Sequence, residues 1–257
     1  MAQELVLYEL VNGVAILTLN NPEKRNALSS EALEALRKHL DRIKDDRRVR
    51  VVILRSVGPV FSAGHDLREM VGADEESYAG IFARCTEVME AIRLLPQPVI
   101  AQVQGLATAA GCQLVATCDL AVASTNAAFA TPGVKIGLFC TTPGVALSRA
   151  VTPKKAMEML LTGRPISPQE ALEFGLVNRV VPPEKLDAEV MALAQQVSAA
   201  SSYTLAIGKQ AFYRQVELER PAAYDLAQRV MVQNLLAEDA QEGISAFLEK
   251  REPRWAN

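Results

Sequence analysis

The chain has 257 residues, a mass of 27.9 kDa, a formal net charge of −3 and a pI near 5.6. Hydrophobic residues make up 49% and charged residues 22%, an ordinary globular balance with no global pull toward nucleic acid or an anionic membrane. The cysteines Cys85, Cys112, Cys118 and Cys140 show no C-x-x-C spacing and the histidines are only His39 and His65, so no metal site is expected and the thiols read as reduced and buried.

The opening MAQELVLYEL carries Glu4 and Glu9 and no basic segment before an apolar core, unlike a secretory signal. Leu5–Glu9 and Val14–Leu19 read as strands, with Asn12-Gly13 between them as a hairpin turn. A helix starts at Ser29 or Ser30, with Leu33, Leu36, Leu40 and Ile43 as its buried stripe. Valine-rich Val49–Arg55 is an interior strand, followed by a turn-rich stretch over 56–66. A helix over 75–95 ends at Pro96. Val99–Val103 is a strand, Gly105 turns the chain, and Ala109–Thr117 is a helix of small residues. Leu120–Ala123 is a further strand. The uncharged stretch from Leu94 to Cys118 is long enough to span a bilayer, but its prolines and glutamines favour a buried strand–turn–helix. Beyond Pro153 the pattern is helical: 154–161, 168–174, 185–199 and most of 204–250, with one strand at 176–181. Alternation of strands and helices predicts an α/β core, assigned to residues 1–190, followed by a helical region at 191–257. Near and beyond that boundary, Leu186, Val190, Leu193 and Val197 form one apolar stripe at helical spacing, and Val230, Met231, Leu235 and Leu236 a second apolar cluster; each suits packing within its own chain or against another subunit.

Two small-residue turns follow strands: Phe61-Ser62-Ala63-Gly64-His65-Asp66-Leu67, and Gly105 through Gln113. Small side chains let a ligand approach the backbone, and the second turn opens a helix whose first N–H groups lack internal partners. Each turn would supply one N–H to a single developing oxyanion. The same residues also suit tight packing of a helix on a strand.

These turns, with Asn20 through Leu28, Cys118-Asp119-Leu120, Phe129 through Pro132, Gly163 through Ser167, 171–181, Glu242-Gly243 and Phe247 through Arg251, resemble the crotonase (enoyl-CoA hydratase/isomerase) superfamily. The resemblance implies a spiral of β-β-α turns, C-terminal helices packed between subunits, and a homotrimer or dimer of trimers. It implies a coenzyme A thioester as substrate or ligand, with no other cofactor, and neither nucleic acid nor membrane as partner. By position, the N–H groups of His65 and Ala110 form the oxyanion hole. Lys24, Arg25, Ala27, Ala63, Asp66, Leu67, Leu106 and Pro132 meet CoA or the acyl group, joined by Phe247 and Lys250 from the last helix. The location implied is cytoplasmic for a bacterial source, or the mitochondrial matrix if a transit peptide has been removed.

The acid–base positions depart from the family. Its hydratases carry two glutamates, where this chain has Gln113 and Gly133. Hydration needs one group to deprotonate water and another to protonate the α-carbon; losing either costs about 10²–10⁴-fold. Efficient hydration is therefore not expected, and restoring both carboxylates (Gln113→Glu with Gly133→Glu) is expected to raise it if the backbone places them near substrate. The leading function is acyl-CoA recognition. Decarboxylation of a malonyl-type thioester, thioester hydrolysis and non-catalytic sensing are the alternatives.

Other polar groups have plainer readings. The His65 ring lies at a pocket wall, with acid–base work as its alternative. His39 is solvated. Cys140, Cys112 and Cys118 are buried thiols, Asp119 satisfies backbone donors, Asp66 and Glu69 serve their turn or an exposed helix face, and Lys135 is a solvated loop lysine. Ser62 lacks the G-x-S-x-G setting of a hydrolase nucleophile.

Overall fold

The computed structural model describes residues 4–256. Asn12 and Gly13 both take left-handed backbone (φ +49° and +82°), the twist a two-residue hairpin needs, and join β1 (Val6–Val11) to antiparallel β2 (Val14–Leu19). Helix α1 (Ser30–Lys44) follows, capped by Ser29 Oγ, which accepts from the Ala32 N–H.

Three β-β-α turns come next. The first is β3 (Val51–Ser56), β4 (Val60–Ser62) and α2 (Glu75–Leu94). The second is β5 (Val99–Val103), β6 (Leu106–Thr108) and α3 (Ala110–Thr117). The third is β7 (Leu120–Ser124), β8 (Ala128–Ala130) and α4 (Thr141–Ala150). Helices α5 (Pro153–Thr162) and α6 (Pro168–Phe174) lead to β9 (Arg179–Val181). The first strand of each turn joins a six-stranded sheet in the order β1-β2-β3-β5-β7-β9, parallel beyond β2, and the second strand joins a parallel sheet β4-β6-β8. This is the spiral expected from the resemblance.

Strand alternation divides the core in two. Val52 and Leu54 of β3 point to the main cluster with α1 and α2, whereas Val51 and Ile53 point to the opposite face. A parallel strand covered on both faces is apolar where it is covered, which is why β3 begins with the unbroken hydrophobic run Val51 to Leu54. The opposite face is closed by α7 (Leu186–Ser198), whose Leu186, Val190, Leu193 and Ala194 pack on Val14, Ile16, Ile100 and Val122. This decides between the two readings of the first stripe: Leu186, Val190 and Leu193 are core, and Val197 packs against them, so that stripe is consumed within its own chain. The division drawn at 190/191 falls inside α7.

The remaining helices, α8 (Ser202–Gln215), α9 (Arg220–Leu235) and α10 (Glu238–Glu249), are built differently: α8 buries no residue fully and α9 only Leu226. A polar anchor holds α8. Lys209 Nζ donates to Asp119 Oδ2 (2.7 Å) and to the carbonyls of Ile92 (3.0 Å) and Gln97 (3.1 Å). Tyr213 donates to Asp119 Oδ1 (2.8 Å), and the Val99 N–H to Asp119 Oδ2 (2.7 Å). Burial pushes the pKa of Lys209 down while Asp119 opposes the shift. All three ammonium hydrogens have acceptors, which is what makes a buried lysine tolerable.

Helix α4 and the three-residue strands β4, β6 and β8 were absent from the expected elements; three residues are too few to display a period of two. The uncharged stretch 94–118 is divided among the end of α2, β5, β6 and α3, and among the described residues no helix is long and apolar enough to cross a membrane. His39 is half-buried and stacks on Tyr8 at 5.7 Å between centroids, rather than standing in solvent.

Candidate functional site

The two turns read from the sequence meet backbone to backbone. A Cβ on Gly64 (φ +85°) would stand 2.9 Å from the Ala109 Cβ, 3.0 Å from the Thr108 oxygen and 3.1 Å from the Ala110 nitrogen. A Cβ on Gly111 would overlap the Ser62 carbonyl oxygen. Only glycine permits this approach at either point. The turn before His65 and the start of α3 therefore touch.

His65 and Ala110 each present a backbone N–H with no acceptor among the described residues. For Ala110 this follows from its place as the first residue of α3, where an α-helix has no internal acceptor. Ala109, just before it, has φ +51° and ψ −119°, a left-handed conformation rare for alanine that costs about 1–3 kcal/mol. That bend turns the chain abruptly from β6 into α3.

The loop before α1 is stitched to the same place. The Leu28 N–H donates to the Gly64 carbonyl (2.7 Å) and the Ala63 N–H to the Arg25 carbonyl (3.0 Å). Ser62 Oγ donates to the Asn26 carbonyl (2.8 Å), which accounts for Ser62 structurally. Asn26, buried and at φ +51°, accepts from the Asn21 N–H and donates to the carbonyls of Val57 and Val60 (2.8 Å each). Sequence reasoning included Asn26 in a motif but missed that it is the clamp. The clamp brings exposed Lys24 and Arg25, and partly buried Ala27, beside Ala63, Asp66 and exposed Leu67. Asp66 caps its own short turn through the Arg68 N–H (3.1 Å) and pairs with Arg68 (2.8 Å); that bond holds its carboxyl below the usual range. Leu106 and Pro132 are partly buried, on β6 and just after β8. Phe247 and Lys250 are not drawn into the junction by contacts within one chain: α10 packs on α8 and α9, and Phe247 is 83% exposed.

The acid–base positions look different in three dimensions. Gln113, one turn into α3, is buried, and its Oε1 has no partner. At Gly133 a Cβ would overlap the Leu138 carbonyl oxygen and lie 2.8 Å from Cys140 Sγ. The loop has closed over it: the Gly133 N–H reaches Cys140 Sγ (3.3 Å), and the Leu138 N–H the Gly133 carbonyl (3.0 Å). The double glutamate variant is corrected accordingly, since a side chain at 133 has no room unless this loop moves. Cys140 is buried and accepts that N–H; burial raises its pKa, as burial raises Cys112 to about 12, so neither is a ready thiolate.

The His65 ring stands edge-on to Phe82 of α2, 5.6 Å between centroids. Burial pushes its pKa down, outweighing the Leu28 backbone and the Glu69 carboxylate, so the ring is neutral near pH 7. The Leu28 backbone lies close enough to the ring to favour its charged form, but neither ring nitrogen makes a hydrogen bond of good geometry to a described residue. Glu69 instead accepts from the Ser30 N–H (3.0 Å) and hydroxyl (2.8 Å) at the start of α1, beside an open cleft of about 630 Å³ that Asp74 and Arg84 also line. Asp119, expected to serve backbone donors, does so at Val99 and also holds Lys209. Among the described residues no three His, Cys, Asp or Glu are grouped to hold a metal ion. The buried hydroxyls of Thr108 and Thr131, both without a partner, were not singled out from sequence; each directly follows or ends a three-residue strand that left no pattern.

If Ala109 is strained to aim the Ala110 N–H, Ala109→Gly relieves that strain. The variant is expected to gain about 1 kcal/mol of unfolding free energy in denaturant titration; a loss would show that the Ala109 methyl contact with Gly64 outweighs the strain.

The Enoyl-CoA hydratase/isomerase family model matches residues 9–257. Enoyl-CoA hydratase domain-containing protein 3, mitochondrial, of Danio rerio is 50% identical over 257 residues, covering 100% of this chain and 89% of that protein. The Homo sapiens protein of that name is 50% identical over 248 residues, 96% of this chain and 82% of its own. Among solved structures, an enoyl-CoA hydratase of Mycobacterium smegmatis superposes with a TM-score of 0.97 at 50% identity, covering 99% of this chain and 100% of that one. The crystal structure of human enoyl coenzyme A hydratase domain-containing protein 3 gives 0.96 at 48% identity, with 98% and 100% covered. A match of this length, with the β-β-α spiral, makes the chain a member of the enoyl-CoA hydratase/isomerase (crotonase) family.

Proposed function

We propose that this protein binds an acyl-CoA thioester and polarises its carbonyl between the N–H groups of His65 and Ala110, without efficient hydration of enoyl-CoA. The observation that carries the reading is two unpartnered backbone donors on turns in direct contact, beside a helix start that favours negative oxygen. Lys24, Arg25, Ala27, Ala63, Asp66, Leu67, Leu106 and Pro132 are assigned to the nucleotide, pantetheine and acyl group. No cofactor beyond the thioester itself is invoked.

Proton transfer is where this site departs from a hydratase. Gln113 carries no proton as a carboxylate does, and the Gly133 position is filled by the Leu138 carbonyl. Decarboxylation of a malonyl-type thioester would need no base, but none of His65, Thr108, Gln113 or Thr131 supplies a cation for the substrate carboxylate. Thioester hydrolysis would need a group to activate water. Recognition of the thioester is therefore the better-supported reading.

Apolar side chains left exposed on the last helices, among them Phe212, Tyr224, Met231, Leu236 and Leu248, support a homotrimer or a dimer of trimers. The word mitochondrial in the names of the Danio rerio and Homo sapiens relatives supports a mitochondrial setting.

Three measurements test these assignments. Ala110→Pro removes one donor at the first position of a helix, where proline is otherwise accommodated; calorimetry is expected to show a larger loss for an acyl-CoA than for free CoA. Equal losses in a folded variant would remove the oxyanion hole. The unmodified protein is expected to turn over crotonyl-CoA far below about 10 s⁻¹, the median of ordinary enzymes; a rate at that level, followed by loss of enoyl thioester absorbance, would mean that another residue carries the protons. Light scattering is expected to return a multiple of three chains, and a stable monomer at micromolar concentration would contradict the assembly.

A further inference from the structure

Residues 251–256 fold back along α10 toward its start. The Arg254 N–H donates to Glu242 Oε1 (2.7 Å), and the Ala256 N–H to Asp239 Oδ1 (2.6 Å). Trp255, the only tryptophan of the chain, donates its Nε1–H to the Ala199 carbonyl just past α7 (2.7 Å). Its ring lies on Gly243, where a Cβ would stand 3.2 Å from the indole. Arg251 grips Glu242 through two nitrogens (2.6 and 2.9 Å) and Glu249 through Nε (2.7 Å). The Arg251 guanidinium holds the Glu242 carboxyl down at about 2, so this clamp is charged on both sides at neutral pH. The Glu242-Gly243 pair of the sequence is thus where the tail is seated.

Packing alone does not fix α10. Among the described residues it buries only Asp239 and Ala246, and Asp239 is a carboxylate held by the Ser201 hydroxyl and by the tail. Lys250, at the elbow between α10 and the tail, has φ +57° and ψ +41°, a left-handed backbone that a side chain disfavours. Such a conformation persists where its surroundings over-determine it, and the Arg251 clamp does so one residue further on. Two side chains are left free at this elbow. Phe247 is 83% exposed. Lys250 is exposed and makes no ion pair among the described residues, whereas Arg251 beside it is neutralised by two carboxylates. Three residues apart, the two are neighbours on the helix surface. An aromatic face beside an unneutralised cation suits a stacked base beside a phosphate.

We propose that the tail is a latch that aims Phe247 and Lys250 at the nucleotide half of CoA, with Trp255 as the positioning residue. The proposal rests on the acyl-CoA reading above. Phe247 and Lys250 reach the ligand across a subunit boundary, because within one chain α10 packs on α8 and α9. Without the indole the tail loses its tie to the end of α7, and the elbow at Lys250 relaxes. The nucleotide is the same in free CoA and in a thioester, so the latch acts on both alike, unlike the oxyanion donors.

Isothermal titration of the intact protein with CoA and butyryl-CoA tests this, with light scattering on the same samples. Trp255→Ala is expected to weaken both ligands by the same factor, about fivefold or more, with the assembly unchanged. Phe247→Ala combined with Lys250→Ala is expected to weaken both as well. Adding Trp255→Ala to that pair is expected to cost less than about twofold, since the side chains it aims are gone. A tail that only stabilised the fold would lower the Tm without this dependence. The fluorescence of Trp255 reports on the latch directly. Glu242→Gln loosens the clamp, so acrylamide is expected to quench the indole more strongly. Saturating butyryl-CoA is expected to reverse that increase, because coupling between latch and ligand is reciprocal. Unchanged affinity in Trp255→Ala, an equal loss with and without Phe247 and Lys250, a loss confined to the thioester, a loss that accompanies dissociation of the subunits, or absence of the ligand-dependent quenching change overturns the proposal and leaves acyl-CoA recognition standing. If the unmodified protein binds neither CoA nor butyryl-CoA, the acyl-CoA reading falls and the latch falls with it.

Discussion

Backbone touches backbone at two points, and the site depends on that contact. Gly64 lies against Ala109 and Ala110, and Gly111 against Ser62, at separations that leave no volume for a methyl group. With a Cβ at either glycine, α3 would be pushed off the first turn, and the N–H groups of His65 and Ala110 would separate. Much of the local structure serves this approach: the Asn26 clamp holds the entering loop, Ser62 bonds across it, and Ala109 accepts a strained backbone at the start of α3. The strain is small beside the burial of α3, whose Ala110, Cys112, Leu114 and Val115 are all core residues.

A site made of backbone dipoles keeps its electrostatics when its side chains change. A backbone N–H donor does not depend on which side chain its residue carries, proline excepted, whereas a proton carrier does not survive the exchange of glutamate for glutamine or glycine. The Gly133 loop makes the second loss structural as well as chemical, because Leu138 and Cys140 occupy the space where a side chain would begin. The neighbouring titratable groups do not compensate: burial holds His65 neutral and keeps Cys140 and Cys112 as thiols.

The C-terminal helices obey another balance. The core is held by interior packing on both faces of the six-stranded sheet, yet α8 buries no residue fully and is fastened by Lys209, Asp119 and Tyr213. A buried ion pair contributes little net stability, but it fixes geometry, because any displacement strands a charge. Such an anchor sets the direction of α8 while leaving the outer apolar faces of α8, α9 and α10 uncovered.

Much of this was legible in the chain itself. Periodicity located α1, α2, β5 and α6 to within a residue or so, Asn12-Gly13 marked the hairpin, and the ordered motifs identified the crotonase spiral and its two turns. Glutamine at 113 and glycine at 133 were legible at once, because residue type alone decides whether a side chain can carry a proton. Other features depended on which atoms meet across the fold. Three-residue strands have no readable period, so the small sheet that carries Thr108 and leads to Thr131 was invisible. The stripe on α7 looks the same in sequence whether it covers its own sheet or another subunit, and only packing showed that it closes the core. The pairing of Lys209 with Asp119 across 90 residues arises from a contact distant in sequence, and neither the loop closed over Gly133 nor the unpartnered hydroxyls of Thr108 and Thr131 leave a mark in residue pattern. Local pattern encodes which face of an element is apolar; tertiary contact decides what covers that face and which polar groups are left waiting for a partner.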